Sequence, residues 1–130
     1  MRTNTTTTSR FATTLPEPPY YAVIFSSSRT PGEQGYAAMA DRMAELASEQ
    51  PGYLGAESTR DAEGFGITVS YWQSEADIRR WKQNAEHMIA QREGHKTWYE
   101  HFEIRIARVE RAYGTSVISE PANTPSNHRP

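Results

Sequence analysis

The spacing of apolar residues changes repeatedly between Tyr20 and Tyr113, and each change marks an element. Tyr20 to Ser28 reads YYAVIFSSS. Its first residues are apolar or aromatic on both alternating faces, which predicts a strand covered on both sides. Thr30-Pro31-Gly32-Glu33 then predicts a helix start, with Thr30 as cap, Pro31 at the first helical position and Glu33 closing a capping box. Tyr36, Met39, Ala40, Met43, Leu46 and Ala47 follow at helical spacing and form one apolar stripe. Pro51-Gly52 ends that helix.

Tyr53 to Arg60 reads as a second strand, Asp61 to Gly64 as a hairpin turn, and Phe65, Ile67, Val69 and Tyr71 as alternating positions of a third strand ending at Trp72. Ser74-Glu75-Ala76-Asp77 is a second helix start. Ile78, Trp81, Ala85, Met88 and Ile89 make its buried stripe, and Gly94 ends or breaks it. Lys96 to Tyr99 reads as a short extra turn, and Glu100 to Tyr113 as a long final strand. Its apolar phase shifts between Phe102–Ile104–Ile106 and Ala107–Val109, which predicts a bulge or face change there. The order β-α-β-β-α-β is the ferredoxin-like α+β arrangement, an antiparallel four-stranded sheet with two helices on one face. Strands one, three and four are apolar or aromatic on much of both sides, so the helix-free face needs its own cover. A second copy of the chain is the economical one, predicting a homodimer.

Composition sharpens this picture at the ends. Residues 1–19 are rich in Thr and close on Pro16, Pro18 and Pro19; residues 115–130 are polar with Pro121, Pro125 and Pro130. Neither stretch carries enough apolar surface to offset ordering entropy, so both read as disordered tails around a domain at 20–114. A net charge of −2 with scattered basic residues gives no sign of a nucleic-acid track. The absence of cysteine excludes disulfides, thiolate metal sites and a cysteine nucleophile. No apolar run approaches a membrane span and no signal-peptide core is present, which points to the cytoplasm.

Candidate chemistry gathers on the second helix. Asn84, His87 and Gln91 recur at helical spacing beside the apolar edge of Trp81, Ala85 and Met88. His87 could act as a general base or axial ligand, although a solvated surface histidine gives the same pattern. Trp72, Trp98, Tyr99 and Tyr71 supply aromatic surface for a planar ligand; Trp72, like Trp81, is more often core, while Trp98 and Tyr99, at a helix-to-strand junction, could equally close a pocket mouth or seal the dimer. Tyr71 is expected to face the core with Phe65, Ile67 and Val69. No HxH, HExxH or clustered-carboxylate pattern appears, so no metal ligands are assigned.

Tyr20 to Gly114 resembles the antibiotic biosynthesis monooxygenase (ABM) domain family. The resemblance rests on Pro51-Gly52-Tyr53-Leu54-Gly55, on Ile67-Thr68-Val69-Ser70-Tyr71-Trp72 and on Ser74-Glu75. It extends through WKQNAEH from Trp81 to His87, Ala90-Gln91, the Trp98–Tyr99 pair and Arg111-Ala112-Tyr113-Gly114, where it is closest to one bacterial branch. It implies a dimeric α+β barrel with a pocket between helices and sheet. Members oxygenate electron-rich phenols or anthrones without metal or flavin, act on quinols, or bind and degrade haem. It therefore implies a monooxygenase acting on a small aromatic molecule with no cofactor, His87, Asn84, Trp81 and Gln91 being the catalytic candidates.

Two alternatives remain open. Haem degradation in the family uses an Asn on strand one, a Trp in helix two and a later His. Trp81 matches, but strand one reads Val23-Ile24-Phe25-Ser26, and the position ten residues after the Trp is Gln91. A haem site would have to use His87. A non-enzymatic dimeric ligand-binding module fits the absence of an unmistakable catalytic motif.

Overall fold

The computed structural model describes residues 10–12, 14–32, 35–93 and 98–115, with side chains in all of these except 87–93. The outer parts of both expected tails, residues 1–9 and 116–130, lie outside the described residues. The elements are β1 (Tyr20–Arg29), α1 (Tyr36–Ser48), β2 (Tyr53–Arg60), β3 (Phe65–Trp72), α2 (Glu75–Glu93) and β4 (Tyr99–Val109). The strands form one antiparallel sheet in the order β2-β3-β1-β4. This is the ferredoxin-like α+β architecture that the hydrophobic pattern predicts.

Register assigns the two faces, because directly opposed residues share a side. Tyr21 opposes Trp72 and Arg108, Phe25 opposes Thr68 and Ile104, and Ser27 opposes Gly66 and Phe102. Trp72 stacks on Trp81 of α2, and Arg60, opposed to Gly66, reaches Tyr36 of α1. Both helices therefore lie on the side of Trp72, Ser27, Phe25 and Ile104. The helix-free side carries Ile24, Phe65, Ile67, Val69, Tyr71 and, on β4, His101, Glu103 and Arg105.

The core sits between the helices and the β2–β3 half of the sheet. Trp72 is fully buried, joined by Met39, Ala47 and Ile78. Tyr53 packs edge-on against Trp72 at 5.5 Å. Farther along β4, Phe102, Ile104 and Ile106 point to the helix side, yet each is about half exposed. The chain departs here from expectation, since apolar residues are bare on both faces. Phe65 and Ile67 are also exposed, on the helix-free side.

Three local expectations are corrected. α1 begins at Tyr36 and not at Pro31. Gly32 and Gly35 have φ of 87° and 79°, conformations that interrupt a right-handed helix. Arg29 and Thr30 are held in the sheet, their amides donating to Gly64 O and Trp98 O. Gly35 is the N-cap, with no side-chain cap; Glu33 lies outside the described residues. β4 begins at Tyr99, where a helical turn was expected, and stops at Val109, opposite the first residue of β1, beyond which it has no partner. Its irregularity lies between Tyr99 and His101, so no bulge stands near Ile106, while the other expected outcome there, a change of face, holds. The apolar set crosses from Ile106 to Ala107 and Val109 by plain alternation.

Other signals hold locally. Ser74 Oγ accepts the Asp77 amide at 3.1 Å and donates to its carboxylate at 2.9 Å, opening α2. Asp61 Oδ1 accepts the amides of Glu63 and Phe65, closing the β2–β3 turn. Gly52 has φ 84°, and its carbonyl accepts the Gln73 amide. A side chain there would run into Asp77, so the Pro51-Gly52 stop also lets α2 approach.

The inner part of the N-terminal stretch lies on the helix-free face. The Ala12 amide donates to Glu57 Oε2 at 3.0 Å. Ala12 and Leu15 lie over Gly55, where an added β-carbon would stand 3.2 Å from Ala12 Cβ. Composition hides this contact, because it uses one backbone amide and two small apolar groups against a glycine.

Candidate functional site

Beside the bare wall of β4, aromatic rings from three elements meet. Phe25 of β1 lies 5.3 Å from Tyr99 and 5.7 Å from Phe102. Tyr99 lies edge-on to Tyr36 of α1 at 5.8 Å. The irregularity at the start of β4 allows both Tyr99 and Phe102 to face the helices, although they are three residues apart.

This aromatic group ends in a polar one. Tyr99 donates its hydroxyl proton to Tyr36 Oη at 3.2 Å. Arg60 donates to the buried Ser27 Oγ at 2.9 Å, to Gly64 O at 2.6 Å and, at a long 3.5 Å, to Tyr36 Oη. The Arg29 guanidinium stacks over the Tyr36 ring at 3.7 Å, a cation–π contact. Burial raises the Tyr99 pKa, and the hydrogen bond to Tyr36 raises it further, while Arg60 and Arg29 pull the other way. Tyr99 is thus a neutral donor at physiological pH. A cleft of about 600 Å³ opens next to this group, lined by Arg29, Arg60 and the Pro31–Gly32 and Asp61–Gly64 turns, with Glu100 at its edge.

The sequence-predicted residues are dispersed. Trp72 and Trp81 form a near-parallel stack, 6.1 Å between centroids and 20° between planes. The Trp72 indole donates to Ser70 Oγ, so this pair forms the core beneath α2. Trp98 is buried. Asn84 is exposed, and its amide donates to Gln50 Oε1 at 2.9 Å, tying α2 to the end of α1. His87 and Gln91 are on α2, but their side chains lie outside the described residues.

Tyr71 is separated from the other aromatic candidates. It shares a face with Phe65, Ile67 and Val69, as expected, but that face is the helix-free one, directed away from Trp72 and Tyr99. It packs edge-on against Tyr20 and donates to Glu57 Oε1 at 2.8 Å. Glu57 thereby bridges Tyr71 and Ala12. Adjacent strand positions point to opposite faces, so Tyr71 and Trp72 could not line one pocket.

Burial, then the Glu57 hydrogen bond and charge, push the Tyr71 pKa from 10.0 up to about 12. A raised native pKa stabilises the fold fully below pH 10, and this contribution is lost as pH rises from about 10 through 12. Tyr71→Phe should reduce the alkaline fall in urea midpoint across that interval, and cost about 1 kcal/mol at neutral pH. An unchanged alkaline profile would show that the hydroxyl is not held this way.

Sequence reasoning missed Tyr36, Arg60, Ser27 and Arg29 as site residues. Tyr36 reads as one more member of the α1 stripe. Ser27 offered a weak signal, a hydroxyl following Tyr21, Val23 and Phe25 on that face. Among the described residues, no group of three or more His, Cys, Asp or Glu could hold a metal ion, and no helix is long and apolar enough to cross a membrane.

Comparison with known proteins agrees with this architecture. YqjZ, an uncharacterized protein of Bacillus subtilis (strain 168), is 50% identical over 101 residues, covering 78% of this chain and 89% of YqjZ. PA3566 from Pseudomonas aeruginosa superposes with a TM-score of 0.56 at 16% identity, over 75% of this chain and 98% of its own. A variant of SnoaB, a cofactor-independent oxygenase from Streptomyces nogalater, gives 0.53 at 10% identity, over 78% and 98%. At such identities these two structures share the fold alone. The family model described as antibiotic biosynthesis monooxygenase matches residues 19–93, which span β1 through α2 and more than half of the chain. On that match, the chain belongs to the antibiotic biosynthesis monooxygenase family.

Proposed function

We propose that the protein is a monooxygenase that inserts one atom of O2 into a small electron-rich aromatic molecule, of phenol, quinol or anthrone type, with no metal or flavin. The observation that carries this reading is the wall of Phe102, Ile104 and Ile106, half exposed on the helix side of the sheet and continuous with Phe25 and Tyr99. Bare apolar surface bordered by a few hydrogen-bonding groups is what a planar aromatic ligand requires. Family membership supplies the reaction class.

In this reading His87 takes a proton from the activated carbon or phenol. The carbanion or phenolate passes one electron to O2, and the resulting radical pair combines to form a C–O bond. The peroxide anion takes the proton back from His87 and then loses water to leave a carbonyl: the anthrone CH2 carbon, or the ring C–H carbon of a phenol, is oxidised, one oxygen atom is retained and the other leaves as water. Asn84 and Gln91 are the candidate partners of the developing oxyanion, Asn84 after leaving Gln50. Trp81, with Trp72 behind it, supports the helix that presents them, while Trp98 and Tyr99 exclude water. The test is conversion of dithranol, an anthrone, to its quinone by chelator-treated protein in air. No acceleration over buffer with dithranol or a simple quinol would remove the reading.

We further propose that the working form is a cytoplasmic homodimer built on the helix-free face, where Phe65 and Ile67 are exposed beside Ile24 and Val69. Sedimentation should give twice the 14.7 kDa chain mass at micromolar concentration. A stable monomer would rule this assembly out.

A further inference from the structure

We infer that Tyr36 and Arg60, backed by Tyr99 and Ser27, form an anchor at the end of the β4 wall for a second, phenolic oxygen of the ligand, distinct from the one that meets Asn84 and Gln91. This rests on the proposed aromatic ligand and adds where that oxygen is held. Tyr36 Oη receives the Tyr99 proton and an N–H of Arg60. Its own proton has no acceptor among the described residues, so it remains to donate to a ligand oxygen.

Charge supports the same assignment. Arg60 is half-buried and spends its hydrogen bonds on Ser27, Gly64 and Tyr36, all neutral groups. None of the ion pairs among the described residues involves it. A partly buried guanidinium bound only to neutral acceptors favours a nearby negative oxygen. Arg29 stacks on the same phenol. The carboxylates of Asp61, Glu63 and Glu100 line the adjoining cleft. They outnumber its two arginines, Arg29 and Arg60, so an anion is disfavoured in the cleft itself, and the ligand oxygen is assigned to the Tyr36 end of Arg60. The apolar side is adjacent, since Tyr99 touches both Phe25 and Phe102. A flat aromatic body on the wall would bring one oxygen to the phenol pair.

Two probes of similar shape test the anchor. 4-Nitrophenol carries the oxygen and its phenolate absorbs visible light; 4-nitroanisole lacks the ionisable proton. The wild-type protein should bind 4-nitrophenol about tenfold or more tightly than 4-nitroanisole, with an enhanced phenolate band. Arg60→Met should remove about tenfold of the 4-nitrophenol affinity and its enhanced band, with 4-nitroanisole unaffected. Tyr36→Phe, which keeps the ring and its stack, should weaken 4-nitrophenol alone by a smaller factor, and serves if Arg60→Met fails to fold. Equal affinity for the two probes, equal losses for both in the variants, or no binding of either at millimolar concentration would overturn the anchor. Failure of the oxygenase reading is seen separately: selective 4-nitrophenol binding without dithranol turnover keeps the anchor and discards the reaction.

Discussion

Trp72→Ala should be the most destabilising single substitution in the sheet, costing about 3–5 kcal/mol. The side chain is fully buried, stacks on Trp81, receives the edge of Tyr53 and donates to Ser70. Truncation would remove contacts to β2 and α2 together and leave a cavity at the centre of the core. The lower urea midpoint should appear with an unchanged denaturant slope. Trp72→Phe should recover much of the loss, but leave Ser70 without its indole donor. Trp81→Ala should cost less, since Trp81 is only half-buried. A Trp72→Ala loss below about 1 kcal/mol would mean that the helices do not depend on this stack.

His87→Ala should show the opposite profile. Stability should change by only about 0.5 kcal/mol, as for substitutions on a solvated helix face. Dithranol turnover should fall about a hundredfold or more if the imidazole is the general base. Its loss should also remove the acid limb of the pH–rate profile, because the base must be unprotonated to work. A variant as active as the wild type would return His87 to the surface, and one as unstable as Trp72→Ala would place it in the core.

Much of the fold was legible because its signals are local. Phe65, Ile67, Val69 and Tyr71 alternate without interruption, and Ser74 to Asp77 caps α2 by bonds that span three residues. The start of α1 was misread because Thr30-Pro31 has the chemistry of a helix start, while sheet bonds from Gly64 and Trp98 hold the chain extended there. Those bonds come from residues distant in sequence, which no local pattern contains. The candidate site shows the same division. Helical spacing can align Asn84 with His87, but the pull of Gln50 on Asn84 depends on how α1 ends against α2. Tyr36, Ser27, Arg60 and Tyr99 converge from four elements. Two of them were indistinguishable from ordinary stripe or strand residues until register brought them together.

The Trp72–Trp81 stack has a use beyond packing. Two indoles 6.1 Å apart and 20° from parallel have transition dipoles close enough to couple, so their circular dichroism should carry an exciton signature that neither ring gives alone. One ring belongs to β3 and the other to α2. The signal therefore reports whether that helix is seated on the sheet, without any label. Followed during ligand addition or refolding, it would distinguish a chain whose helix has lifted from one whose sheet has come apart.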